Sequence, residues 1–193
     1  MIGRTKKITQ DESGSTILEF AFVLVPLLTL ILGAWEMGRQ VYVSSIVQGV
    51  VIQAARKAAL EGATTTAVKT YVDSQLADFA VPAKIGLTVT SFKKFTGVGA
   101  PEKITTDTAP LGSYNTGDCY VDVNNNAAYD TQQGSNGIGT AEDALRVRLT
   151  VEMNRLSPVG GWIGYSDVYQ VDRTTFVQAE PFAGTIDPPT RCS

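Results

Sequence analysis

A single carboxylate interrupts the most apolar stretch of this chain. Glu19 stands third in the run Ile17 to Trp35, nineteen residues with no other charge. At about 1.5 Å per residue a helix of that length spans roughly 28 Å, close to a bilayer's hydrocarbon core. A carboxylate at the middle of such a core costs about 2.5–3.5 kcal/mol on insertion scales. It therefore calls for a positive partner. A new chain terminus is one source of that charge: a cut after Gly14 would leave an ammonium on Ser15. The amine could come from the same chain or from a neighbouring copy already assembled.

A second set of chemistry-bearing residues is Asp122, Asn124, Asn126 and Asp130. Oxygen side chains at alternate positions, followed by one four residues on, resemble the start of an EF-hand-like calcium loop. Ala127 stands where glycine would make the sharp turn, and Gln133 where a bidentate glutamate belongs. Glu142 or Asp143 could complete the shell from outside. The alternative is a solvated Asx-turn loop that needs no metal. Two cysteines, Cys119 and Cys192, could pair in an oxidising compartment and close a long loop. There is no histidine, which removes the imidazole base, the Ser-His-Asp triad and His-bound zinc. Ser91-Phe92-Lys93-Lys94 matches Ser-x-x-Lys by letters, but it falls in strand-like sequence rather than opening a helix. No nucleophile–base pair can be named, so the chain reads as a non-enzyme.

The elements that carry these residues are legible from their periods. Residues 1–14 form a polar leader, and Ser15 to about Glu61 reads as one long helix. Its first half is apolar all round, as a lipid-exposed segment should be. Pro26 falls within that half and predicts a kink. The second half narrows to a stripe of Val43, Ile46, Val47, Val50, Val51, Ala54 and Ala58. Gly62 reads as its stop. Thr65 or Thr66 predicts the cap of a second helix running to about Asp78, with Val68, Tyr71, Val72 and Leu76 on one face. Period-two alternation predicts strands at 84–93, 144–153 and 168–179. A long stretch rich in Gly, Asn, Asp and Pro, 97–143, separates the first two as a functional or poorly ordered loop. Gly160-Gly161-Trp162-Ile163 predicts a turn with an aromatic anchor.

Charge fixes the orientation. The chain has net charge −3, which offers no electrostatic case for nucleic acid. Residues 1–62 hold six Lys/Arg against five Asp/Glu, and 63–193 hold ten against fourteen. Arg4, Lys6 and Lys7 precede the apolar run, so the positive-inside rule keeps the N-terminus cytoplasmic. The rival, a cleaved secretory signal, would have a shorter apolar region ending in a small-x-small site, and Leu32-Gly33-Ala34 is a poor one.

A glycine, four residues, then a glutamate and an aromatic is the pattern of type IV prepilins. Here it is Gly14-Ser15-Thr16-Ile17-Leu18-Glu19-Phe20. Glu19-Phe20-Ala21-Phe22-Val23-Leu24-Val25-Pro26 is similar to the EFA-x-x-L-x-P core of the TadE-like family, the minor pilins or pseudopilins of Tad (tight adherence, Flp pilus) systems. The likeness continues through Gly33, Glu36, Gly38 and Arg39 to Ala54, Ala55, Arg56 and Ala59. It implies an inner-membrane, single-pass protein cut after Gly14 by a prepilin peptidase. Its partners would be the bilayer, other pilins and the Tad inner-membrane assembly machinery. The expected fold is α+β: a long transmembrane helix whose outer half packs on a small antiparallel sheet within a periplasmic domain, 63–193. The competing function is a membrane-anchored binding or adhesion module that does not polymerise, with calcium as the ligand that the 122–130 spacing suggests.

Overall fold

The computed structural model describes residues 13–81, 84–156, 159–162, 164–181 and 187–192. The expected leader falls outside the described residues except for Ser13 and Gly14, which already belong to the first helix. That helix, α1, spans Ser13–Ala58. It begins two residues before the expected Ser15, because a glycine in a helix costs about 1 kcal/mol of propensity without a steric clash. It ends three residues short of Glu61. Gly62 takes φ +71, a left-handed conformation open to a residue without Cβ, and Ala63 N–H reaches back to the Leu60 carbonyl at 3.2 Å.

By its contacts the chain forms two units. One comprises Met1–Tyr42 with Asn154–Val168, and the other Val43–Met153 with Tyr169–Ser193. The boundary thus cuts α1 after residue 42. The last turns of the helix belong with the sheet, and a stretch near the C-terminal end belongs with the apolar helix.

In the first unit α1 shows apolar side chains on every side. Ile17, Phe20, Phe22, Val25, Leu30 and Trp35 are all exposed. The helix is long and apolar enough to cross a membrane. It continues through Pro26, and the Thr29 hydroxyl donates to the Val25 carbonyl at 2.9 Å.

The second unit builds a core from the stripe that the sequence marks. Val43, Val47, Val50, Val51, Ala54, Ala55 and Ala58 are buried, and Ile46 is half-buried against them. The second helix, α2, spans Thr65–Leu76 and adds Val68, Val72 and Leu76. Its cap lies one residue before the expected pair: Thr64 Oγ1 accepts the Ala67 N–H at 3.2 Å from an extended backbone.

The main sheet holds β1 (Ile85–Phe92), β4 (Ser135–Asn136), β5 (Ala144–Asn154) and β6 (Val168–Gln178), in the order β4-β1-β5-β6. It therefore has one strand more than the period-two pattern predicts. Strands β1 and β5 pair antiparallel, with Val89 opposite Val147, Leu87 opposite Leu149 and Ile85 opposite Val151. These residues face the core, while Arg148 on the outer face pairs with Asp172. Each fully buried Val or Leu contributes about 1.5–3 kcal/mol by leaving water.

Residues 97–143 carry more structure than a loop. They contain β2 (Ile104–Thr106) and β3 (Cys119–Val121), and β7 (Thr190–Cys192) completes a second sheet in the order β2-β3-β7. Three-residue strands show no alternation to read, and β3 finds its partner about seventy residues away. Cys119 lies directly opposite Cys192 in this ladder, and the two form a disulfide.

Candidate functional site

The amino-terminal part of α1 places Gly14 and Ser15 in the first helical turns and Glu19 one turn further on. Glu19 is exposed among exposed apolar neighbours Ile17, Leu18 and Phe20. The arrangement offers a carboxylate on the surface of a helix whose other side chains prefer hydrocarbon. A cationic partner brought to that surface would be strongly favoured there.

A second charged pair follows the apolar run at once, and it is treated differently. Glu36 is only 6 % exposed. Its Oε2 accepts the Leu156 N–H at 3.3 Å, and its Oε1 lies 3.9 Å from Arg39 Nη2. Arg39 Nη2 donates to the Asn154 carbonyl at 2.7 Å. The carboxylate and guanidinium thus hold one backbone N–H and one carbonyl of the chain around residue 155. The family likeness includes both side chains, but the partner segment lies more than a hundred residues away and has no sequence signal. The segment Val159–Trp162 forms a single helical turn, α3. The Trp162 backbone ends this turn, and its side chain, the expected aromatic anchor, is outside what the structure describes.

The third constellation is the loop after β3. Asp122 is fully buried. Its carboxylate accepts the Asn126 N–H at 3.0 Å and the Ala127 N–H at 2.8 Å, and it pairs with Arg191. Burial pushes this carboxyl up, but the Ala127 N–H, the Arg191 guanidinium and the Asn126 N–H outweigh it and hold it below the ordinary range. Asp130 Oδ2 receives the amide nitrogens of Asn124 at 2.6 Å and Asn126 at 2.8 Å. All four residues of the proposed calcium motif therefore meet in one small loop. Ala127 adopts φ +62 and Asn125 φ +57, so the turn is made without glycine.

Glu102 joins this loop, and the sequence reading passes over it. It is buried, with Oε1 accepting the Val123 N–H at 2.7 Å and Oε2 the Asp130 N–H at 3.1 Å. It fastens the two ends of the turn. Burial raises its pKa; the two N–H groups pull the other way, and the charges of Asp130 and Asp122 add to the rise. Asp118, also buried, accepts the Thr108 N–H at 2.7 Å and the Asn115 N–H at 2.9 Å. The Thr108 N–H, ahead of opposing burial, and further bonds from the Thr108 hydroxyl and Asn115 hold its carboxyl low. A glutamate in a region of Gly, Pro and Thr offers no period that would single it out.

Among the described residues, no group of three or more His, Cys, Asp or Glu is arranged to hold a metal ion. Asp122 already spends its oxygens on two N–H groups and a guanidinium, and Asp130 faces amide nitrogens rather than amide oxygens. Calcium would require both amides to turn over and Arg191 to withdraw.

The helix that bears Glu19 and Glu36 decides the relationship. Residues 14–56 match the family model described as TadE-like protein. This segment resembles the TadE-like family. The match takes in the apolar run, Pro26, the Glu36–Arg39 pair and most of the buried stripe. It leaves α2 and both sheets outside. No curated protein and no solved structure matches the chain.

Proposed function

We propose that this chain is a minor pilin or pseudopilin of a Tad/Flp pilus, cut after Gly14 by a prepilin peptidase. It sits in the inner membrane with its N-terminus in the cytoplasm and its C-terminal part in the periplasm. After the cut, the Ser15 ammonium and Glu19 neutralise each other, within one subunit or between a subunit and its neighbour. Entry into a filament then requires the position at which the charges match. The observation that carries this reading is Glu19, exposed on an apolar helix inside the TadE-like segment. N-terminal sequencing of membrane-extracted protein should begin at Ser15, and Glu19→Gln should be processed yet fail to support piliation. An uncut chain whose Glu19→Gln variant makes normal pili would overturn the proposal.

A second reading, an exported calcium-binding module that does not polymerise, draws on one observation. The loop 122–130 adopts the left-handed turn at Ala127 that the motif demands, although alanine disfavours it. Isothermal titration separates the two. The disulfide-bonded full chain in detergent should give no heat at millimolar calcium if Arg191 and the Asn126 and Ala127 N–H groups remain the partners of Asp122. Saturable heat that Asp122→Asn abolishes would establish the cation site.

A further inference from the structure

Resting on the membrane reading above, we infer that Arg155–Leu156 and Gly164–Asp167, the two described ends of one loop, form a foot that lies on the bilayer surface beside the exit of α1. The chain closes on itself here. Arg155 N–H bonds to the Asp167 carbonyl at 2.9 Å, Tyr165 N–H bonds to the Gly160 carbonyl at 2.9 Å, and Gly164 takes φ +83 to make the return. The Arg155 guanidinium covers the Tyr165 ring at 5.6 Å and donates to the Ser166 carbonyl.

Two features place this loop at one depth. Leu156 N–H is held by Glu36 and the Asn154 carbonyl by Arg39. Those side chains stand one and four residues past Trp35, where the apolar run ends. The loop is thus fastened to the helix at the level where hydrocarbon gives way to headgroups. The loop shows Leu156 at 67 % exposure and Tyr165 at 63 %, and Trp35 and Tyr42 on the helix are exposed too. Aromatic rings with one polar end and aliphatic side chains beside them are the composition of an interfacial belt.

The fastening also has its own logic. A carboxylate and a guanidinium at the edge of the hydrocarbon are costly unless hydrogen-bonded. The loop supplies a donor to Glu36 Oε2 and an acceptor to Arg39 Nη2, while Glu36 Oε1 and Arg39 Nε are buried with no hydrogen bond among the described residues. A water-facing loop would gain nothing from presenting Leu156 and Tyr165. The occupant that fits is lipid, reached by continuity with the membrane span itself.

Both native thiols are in the disulfide, so a new cysteine takes a nitroxide label alone. The full chain is reconstituted in vesicles of phosphatidylethanolamine and phosphatidylglycerol, labelled at Leu156→Cys or at Leu28→Cys. Relaxation by oxygen is compared with relaxation by a water-soluble nickel chelate. The label at 156 should favour oxygen and report a depth of about 5–10 Å below the headgroup surface, as interfacial segments do. Oxygen contact at 28 with chelate contact at 156 would overturn the inference and leave the membrane anchor standing. Chelate contact at 28 would overturn the membrane reading itself. Access to neither reagent at 156 would mean protein covers the loop, and would overturn it too. Arg39→Ala should move the 156 label toward water; an unchanged depth would overturn the role given to the Glu36–Arg39 pair.

Discussion

One helix contains two opposite treatments of apolar side chains. Leu28 in the first part of α1 is 46 % exposed, and Val47 in the last part is fully buried. Both are aliphatic residues on the same continuous backbone. Residues 43–58 meet a sheet and a second helix made by their own chain, and only one stripe of the helix is apolar. Residues 17–35 have no such cover and are apolar all round. The contrast extends to charge: Glu19 is exposed on the apolar part, and Glu36 is buried and accepts a hydrogen bond from the Leu156 N–H. Apolarity by itself does not say what covers a surface. The pattern around the helix does, because a stripe calls for one partner and a full girdle calls for a solvent.

That contrast can be broken by making the covered part resemble the uncovered one. Val147→Asp places an uncompensated charge beneath the buried stripe and should cost on the order of 4 kcal/mol or more. Protease resistance of the globular unit should vanish while the chain still fractionates with membranes. Survival of a resistant fragment would mean that the stripe is not held as described. A smaller effect comes from removing the covalent tie. Replacing Cys119 and Cys192 together by serine should lower stability by about 2–4 kcal/mol, read from the urea midpoint of the full chain in detergent. The apolar first part of α1 should be indifferent to this change, which sharpens the division between the two units.

The smallest effect is acid sensitivity confined to the globular unit. Asp118 and Asp122 titrate below their ordinary values, so the stability they contribute is complete above about pH 4. It is lost as pH falls through their folded values. Glu102 has the opposite sign: its raised pKa gives stability present at low pH and lost as pH rises through that value. The urea midpoint should fall below about pH 4. Asp118→Asn should flatten that fall; an unchanged slope would mean that Asp118 is not held as an ion.

How far the fold could be read from the chain follows from the range of each interaction. The strand 144–153 declares itself through strict alternation, and the stripe Val43 to Ala58 through its helical period. Both are local patterns, and both stand in the structure nearly as written. The second sheet is invisible because β3 is three residues long and its partner β7 lies at the far end of the chain. Glu102 and Arg191 are invisible for the same reason: each acquires meaning only from residues distant in sequence. The Asp122 motif was visible as a spacing, while the identity of its cationic neighbour was not. At the N-terminal helix Glu19 could be found because a charge among nineteen residues of apolar sequence contradicts its surroundings locally.

The bond between Cys119 and Cys192 has a mechanical consequence. A pull applied between α1 and Cys192 passes through the sulfur atoms and bypasses the 73-residue separation they bridge. Stretching cannot draw out that segment, which hides about 250 Å of contour at full extension. Between those two points only the chain before Cys119 can lengthen under load, so reduction would turn a short tether into a much longer one.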